Sequence, residues 1–143
     1  MRNCLKHIFQ NPGPSYLRLG KAGEDNFSID TTQLDPGIFN QIIKSENAAS
    51  AVVVTGAILQ DVMSYYTKTD DINFDILTCP IWGMDEKSEI ENQLSQYNRL
   101  VSVEDQLIDA GFGSWLLESI RPENRIKLRI VGLTSEVCGM VGS

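Results

Sequence analysis

Residues Ala51, Val52, Val53, Val54 and Thr55 form an unbroken, mostly β-branched run. It lacks polar alternation, the pattern of a strand covered on both faces, as in a parallel sheet with helices above and below. Gly56 interrupts the run, and residues 56–66 continue with helical spacing. A second strand over 73–78 ends at Cys79 and Pro80, and residues 86–96 place Ile90 and Leu94 on one helical face. A third strand over 100–103 leads to a helix over 112–120 that Pro122 closes, and residues 127–131 supply a fourth strand. Strands separated by helices of this length imply right-handed crossovers and a mostly parallel sheet with helices on both faces.

The remaining segments are shorter. Leu5, Ile8 and Phe9 make a helical stripe that Asn11, Pro12, Gly13 and Pro14 stop. Residues 15–20 read as a strand and 21–26 as a polar connector. In residues 35–44, Ile38, Phe39, Ile42 and Ile43 have the spacing of a short helix with Pro36 in its first turn. With 143 residues, the chain fits one domain that removes roughly two-thirds of its unfolded surface from water.

Charge and cysteine usage narrow the function classes. Twelve Lys and Arg against 19 Asp and Glu leave a net charge of −7, which disfavours nucleic acid and anionic membranes as partners. No apolar stretch approaches the ~20 residues of a membrane helix, and the N-terminus lacks a signal-peptide core. Cys4, Cys79 and Cys138 are scattered and odd in number, without zinc or disulfide spacing, which fits a reducing cytoplasm. His7 is the sole histidine, which rules out His-rich metal sites and disfavours a Ser-His-Asp constellation.

Chemistry concentrates in residues 99–114, where an apolar strand passes through Glu104 and Asp105 to Gly111, Phe112 and Gly113. Open α/β sheets gather ligands at such strand ends. Gly111 and Gly113 offer close backbone approach, and the first turn of the following helix offers free amides to an anion. The third glycine of a dinucleotide fingerprint is missing, so the alternative is a structural turn. Adjacent strand residues face opposite ways, which separates Glu104 from Asp105 and argues against a shared proton. Asp85 and Asp109 have the position of helix caps, and Trp82 and Trp115 that of core or interface anchors.

Taken together, several stretches resemble the C-terminal domain of the transketolase family of thiamine-diphosphate enzymes. Gly13, Pro14, Tyr16, Arg18 and Lys21 resemble the strand closing the family's pyrimidine-binding domain. Residues 54–59 are similar to the first strand and glycine turn of its C-terminal domain, and residues 79–85 to its proline-aspartate segment. The run from Arg99 through Glu104 and Asp105 to Gly111 and Gly113 is similar to the family's third-strand segment, with Val131, Gly132 and Leu133 as the last strand end. The resemblance implies a three-layer α/β/α domain with a five-stranded, mostly parallel mixed sheet containing one antiparallel strand. It further implies that residues 1–30 end the preceding pyrimidine-binding domain and its linker, and that 31–143 form the C-terminal domain without its final helix.

The functional expectations follow from that resemblance. The family's thiamine diphosphate and Mg²⁺ site lies in domains that these residues do not match. The chain is therefore expected to have no catalytic, cofactor-binding or metal-binding residues of its own and no activity alone. The parent reaction is two-carbon ketol transfer between sugar phosphates, and the domain's share is scaffolding and dimerisation. Partners are other transketolase domains or a companion subunit, with homo-oligomerisation. Lys21 stands where family members hold an arginine that grips substrate. Glu104, Asp105, Gly111 and Gly113 mark the domain junction, and Arg18 is expected in a structural ion pair. Gln106 replaces a histidine common after the Glu-Asp pair, and Gln does not shuttle protons near neutral pH. The other reading is a stand-alone module that kept the fold and binds a small anion at Gly111 and Gly113.

Overall fold

The computed structural model describes residues 2–20, 25, 27, 34–70, 72–83 and 87–140. Lys21 and Asp85 lie outside the described residues. The elements, in order, are α1 (Arg2–Gln10), β1 (Asn40–Ile43), β2 (Ser50–Val54), α2 (Leu59–Lys68), β3 (Asp75–Thr78), α3 (Ile90–Leu94), β4 (Arg99–Leu107), α4 (Phe112–Ser119) and β5 (Leu128–Leu133). Short 3₁₀ turns cover Pro122–Lys127 and Ser135–Val137.

The five strands form one sheet in the order β1-β3-β2-β4-β5. β2 is parallel to both β3 and β4, and β4 is parallel to β5, while β1 runs antiparallel to β3. From β2 the chain steps to β3 on one side, then crosses back to β4 on the other. Right-handed crossovers in opposite directions put α2 on one face and α3 and α4 on the other, giving three layers.

The core lies between the sheet and the α3/α4 layer. Ala51, Val53, Leu77, Cys79 and Leu100 face Ile90 and Leu94 of α3 and Phe112, Trp115, Leu116 and Ile120 from α4 and its end. Ile90 and Leu94 are one helical turn apart, so both reach the sheet. Trp82, Phe112 and Trp115 form an aromatic cluster with ring centroids 5.5–5.6 Å apart, and the Trp115 indole N–H donates to the Gly83 carbonyl at 2.7 Å. Each fully buried aromatic or aliphatic side chain here contributes about 1.5–3 kcal/mol. The α2 face is thinner, since α2 contributes no fully buried residue.

Two expected elements are different in the structure. Residues 35–44 do not form a helix. Pro36 lacks an amide donor, Gly37 turns with φ +71°, and residues 40–43 then pair with β3 as β1. Gln93 of α3 holds this turn by accepting from Phe39 N at 3.0 Å and donating to Gly37 O at 2.9 Å. Residues 15–20 have no ladder partner among the described residues, so the fifth strand of the sheet is β1 and not this segment.

A polar hub fixes the amino end of the sheet. Asp75, 5% exposed at the start of β3, accepts from Gln41 Nε2 at 2.8 Å, Ser45 N at 2.8 Å and the Tyr97 hydroxyl at 2.6 Å. Burial, followed by the Asp75 carboxylate, pushes the Tyr97 hydroxyl's pKa upward. A shallow, open depression of about 640 Å³ lies beside the hub, between Ser45, Tyr66 and Asn73. It is at the opposite end of the sheet from Glu104.

Candidate functional site

β4 carries an irregularity where the sequence places its two acids. Val103 pairs with Val131 and Leu107 with Leu133. Three residues, Glu104, Asp105 and Gln106, thus stand opposite the single residue Gly132. This three-against-one bulge bends the strand and re-aims its side chains. Gly132 makes room for it, because a Cβ there would stand 3.0 Å from Glu104 Cγ and 3.1 Å from the Gln106 carbonyl.

Glu104 turns inward and is 3% exposed. Its carboxylate accepts from Phe112 N at 2.7 Å and Gly113 N at 2.9 Å, the first two amides of α4. Those amides have no partner within the helix, and a negative charge at a helix N-terminus is favourable. The anion received by the Gly111 to Gly113 turn is therefore the chain's own carboxylate. Burial nevertheless outweighs the two amides and raises the Glu104 pKa above its ordinary 4.5, with Asp105 adding a smaller push.

The glycines are required by space. A Cβ on Gly111 would lie 2.2 Å from Glu104 Oε2 and 2.4 Å from the Leu107 carbonyl. On Gly113 it would lie 2.6 Å from Ile130 Cγ2 and 2.9 Å from Ser102 Oγ, so its absence lets α4 approach the sheet. Ser102 is fully buried, and its hydroxyl has no hydrogen-bond partner among the described residues. Asp109 does not cap α4. The N-cap residue is Gly111, which makes no side-chain cap bond, and Glu104 performs that task from eight residues upstream.

Asp105 points the other way, as adjacent strand residues do. Its Oδ1 accepts from Arg18 Nη1 at 2.5 Å, and its carbonyl accepts from the same nitrogen at 3.2 Å. The structure thus separates the two carboxylates, one inside against α4 and one outside against the leading segment. Gln106 is half-buried and makes no side-chain hydrogen bond among the described residues. Cys79 is no nucleophile, since burial pushes its thiol pKa up to about 12. Trp115 is a core residue and Trp82 packs on the core's edge. His7 lies half-buried on α1 near the side chain of Asn11.

The same fold occurs in a solved structure described as "Split gene transketolase, inactive beta4 tetramer". The chain has a transketolase-like fold. The likeness covers 94% of this chain with a TM-score of 0.74 at 18% sequence identity. It covers 45% of the transketolase chain, so the protein spans about half of that chain's length. No protein-family model matches the sequence, and no curated protein does.

The first two amides of α4 are not open to a phosphate, because Glu104 occupies them. Among the described residues, no group of three or more His, Cys, Asp or Glu is placed to hold a metal ion. No helix among them is long and apolar enough to cross a membrane. Sequence reasoning singled out Glu104, Asp105, Gly111 and Gly113 and named Gly132 only as part of a strand end; it did not single out Ser102 or the buried Asp75–Tyr97 pair. An acid at the head of the Ile76-Leu77 strand was the available signal for Asp75.

Proposed function

We propose that the chain acts as the C-terminal, non-cofactor-binding domain of a transketolase-like enzyme. Its role is to orient and dimerise the assembly, while thiamine diphosphate and Mg²⁺ are held by other transketolase domains or a companion subunit. The observation that carries this reading is the fold match over 94% of the chain to half of a split-gene transketolase chain. In this reading residues 1–30 close a preceding pyrimidine-binding domain and its linker, and residues 31–143 form the C-terminal domain. The assembled enzyme moves two-carbon ketol units between sugar phosphates, with Lys21 at the substrate mouth. Self-association is supported by the tetramer named for the neighbour, and a cytoplasmic setting by the three free cysteines, Cys4, Cys79 and Cys138.

Two measurements test the reading. Calorimetric titration of thiamine diphosphate and Mg²⁺ into the chain alone gives no heat of specific binding. Co-purification with the polypeptide carrying the cofactor motif yields an assembly that transfers a ketol unit between sugar phosphates. Tight stoichiometric binding of the cofactor to the chain alone overturns the proposal.

A further inference from the structure

We propose that residues 11–20 form a strap whose seat is the carboxyl end of β4 at the topological switch between β2 and β4, with Arg18 as the single group that seats it. The sheet reverses its direction of winding at this point, the crevice where open α/β sheets take their ligands. Glu104 is turned away into α4, so the acceptors left facing outward at the bulge are the Asp105 carboxylate and carbonyl. Both converge on one guanidinium nitrogen of Arg18. Gly56, at the end of β2 with φ +81°, leaves the seat uncovered, since a Cβ there would stand 3.2 Å from Asp105 Oδ1.

Little else holds the segment. Among the described residues, the two Arg18 bonds are the only hydrogen bonds joining residues 2–20 to the rest of the chain. Phe9 and Tyr16 are nearly fully exposed, and Leu19 is more than half exposed. The Arg18 and Asp105 side chains are themselves 43% and 26% exposed, so water reaches the latch. Charge favours reseating: the first 21 residues carry four Lys and Arg and no acid, whereas the remainder carries eight against all 19 Asp and Glu. Seated, the strap fills the crevice with the chain's own cation and fixes the direction in which residues 11–20 leave the sheet. Released, it bares Asp105 beside Gly56, an opening suited to a guanidinium-bearing partner. The proposal does not rest on the ketol-transfer reading, and its test involves no cofactor.

The test is limited chymotrypsin digestion of the full chain, reading cleavage after Tyr16 by mass spectrometry. An exposed ion pair shifts opening by roughly 1.4-fold to fivefold, and Arg18→Ala and Asp105→Asn are each expected to speed cleavage by a factor in that range. Raising salt from about 0.02 to about 0.5 M should speed cleavage of the native chain and leave Arg18→Ala unchanged. The charge-exchanged pair Arg18→Asp with Asp105→Arg should recover part of the protection. Amide exchange over residues 99–107 reports whether each variant keeps its sheet. Equal cleavage rates in the native chain and a folded Arg18→Ala variant, or equal salt sensitivity of the two, overturns the proposal.

Discussion

Replacing Glu104 by Gln separates the carboxylate's two contributions. Native Glu104 accepts two amide bonds of 2.7 and 2.9 Å with an ionised group, and bonds of that kind are each worth about 1.5–3 kcal/mol. Gln keeps one acceptor, now neutral, and turns its own N–H₂ toward the second amide, which is left unpaired in a buried place. The loss is offset because a neutral amide is easier to bury than a carboxylate. The net cost at pH 7.5 comes to about 2 kcal/mol, or roughly 1 M in urea midpoint for a slope near 2 kcal/mol/M.

The pH dependence sharpens the test. Burial raises the Glu104 pKa above 4.5, so the folded state binds this proton more tightly than the unfolded chain does. The group's contribution is fully present below pH 4.5 and is lost as pH rises through the folded value. A protonated carboxyl also keeps its hydroxyl oxygen as an acceptor, which Gln cannot match. The native chain's advantage over Glu104→Gln should therefore widen as pH falls from about 7.5 toward 4.5. Urea unfolding followed by the fluorescence of Trp82 and Trp115 measures both quantities. A variant as stable as the native chain at pH 7.5, or an advantage that shrinks in acid, refutes the argument.

Three further outcomes are expected. Gly113→Ala should lose about 1–3 kcal/mol despite the helix propensity that favours Ala, because the methyl group meets Ile130 and Ser102; a rise in melting temperature would contradict the packing argument. Ser102→Ala removes a buried hydroxyl that has no partner among the described residues and should leave stability unchanged or raise it by about 1 kcal/mol, whereas a clear loss in calorimetry would reveal a hydrogen bond to that oxygen. Ala110→Gly relieves a backbone held at φ +59° and should add about 0.5–1 kcal/mol, as read from the unfolding midpoint.

The sequence shows some of these features and hides others for a consistent reason. The strand over 50–54, the helices over 59–68 and 112–119 and the crossover order are written in local periodicity, and they appear near their expected limits. β1 is misread because Ile38, Phe39, Ile42 and Ile43 mimic helical spacing. What decides it is distant: Gln93 holds the turn, and β3 offers a ladder. The cap of α4 is misassigned likewise, since local rules favour Asp109 while a bulge lets Glu104 reach the amides. A bulge is a mismatch in count between two strands that lie some 30 residues apart, and no local window over 99–107 contains it.

The bulge also has an evolutionary consequence. Glu104 needs Gly111 to lack a side chain beneath its carboxylate, and it needs Gly132 to lack one beside its stem. With Glu104 kept, a side chain at Gly111 collides and one at Gly132 forces the Glu104 stem or the Gln106 carbonyl to shift; with the glycines kept, losing Glu104 strands two amides. Substitutions at these three positions are therefore mutually conditional, and a lineage leaves this arrangement only by passing through a destabilised intermediate or by changing the sites together.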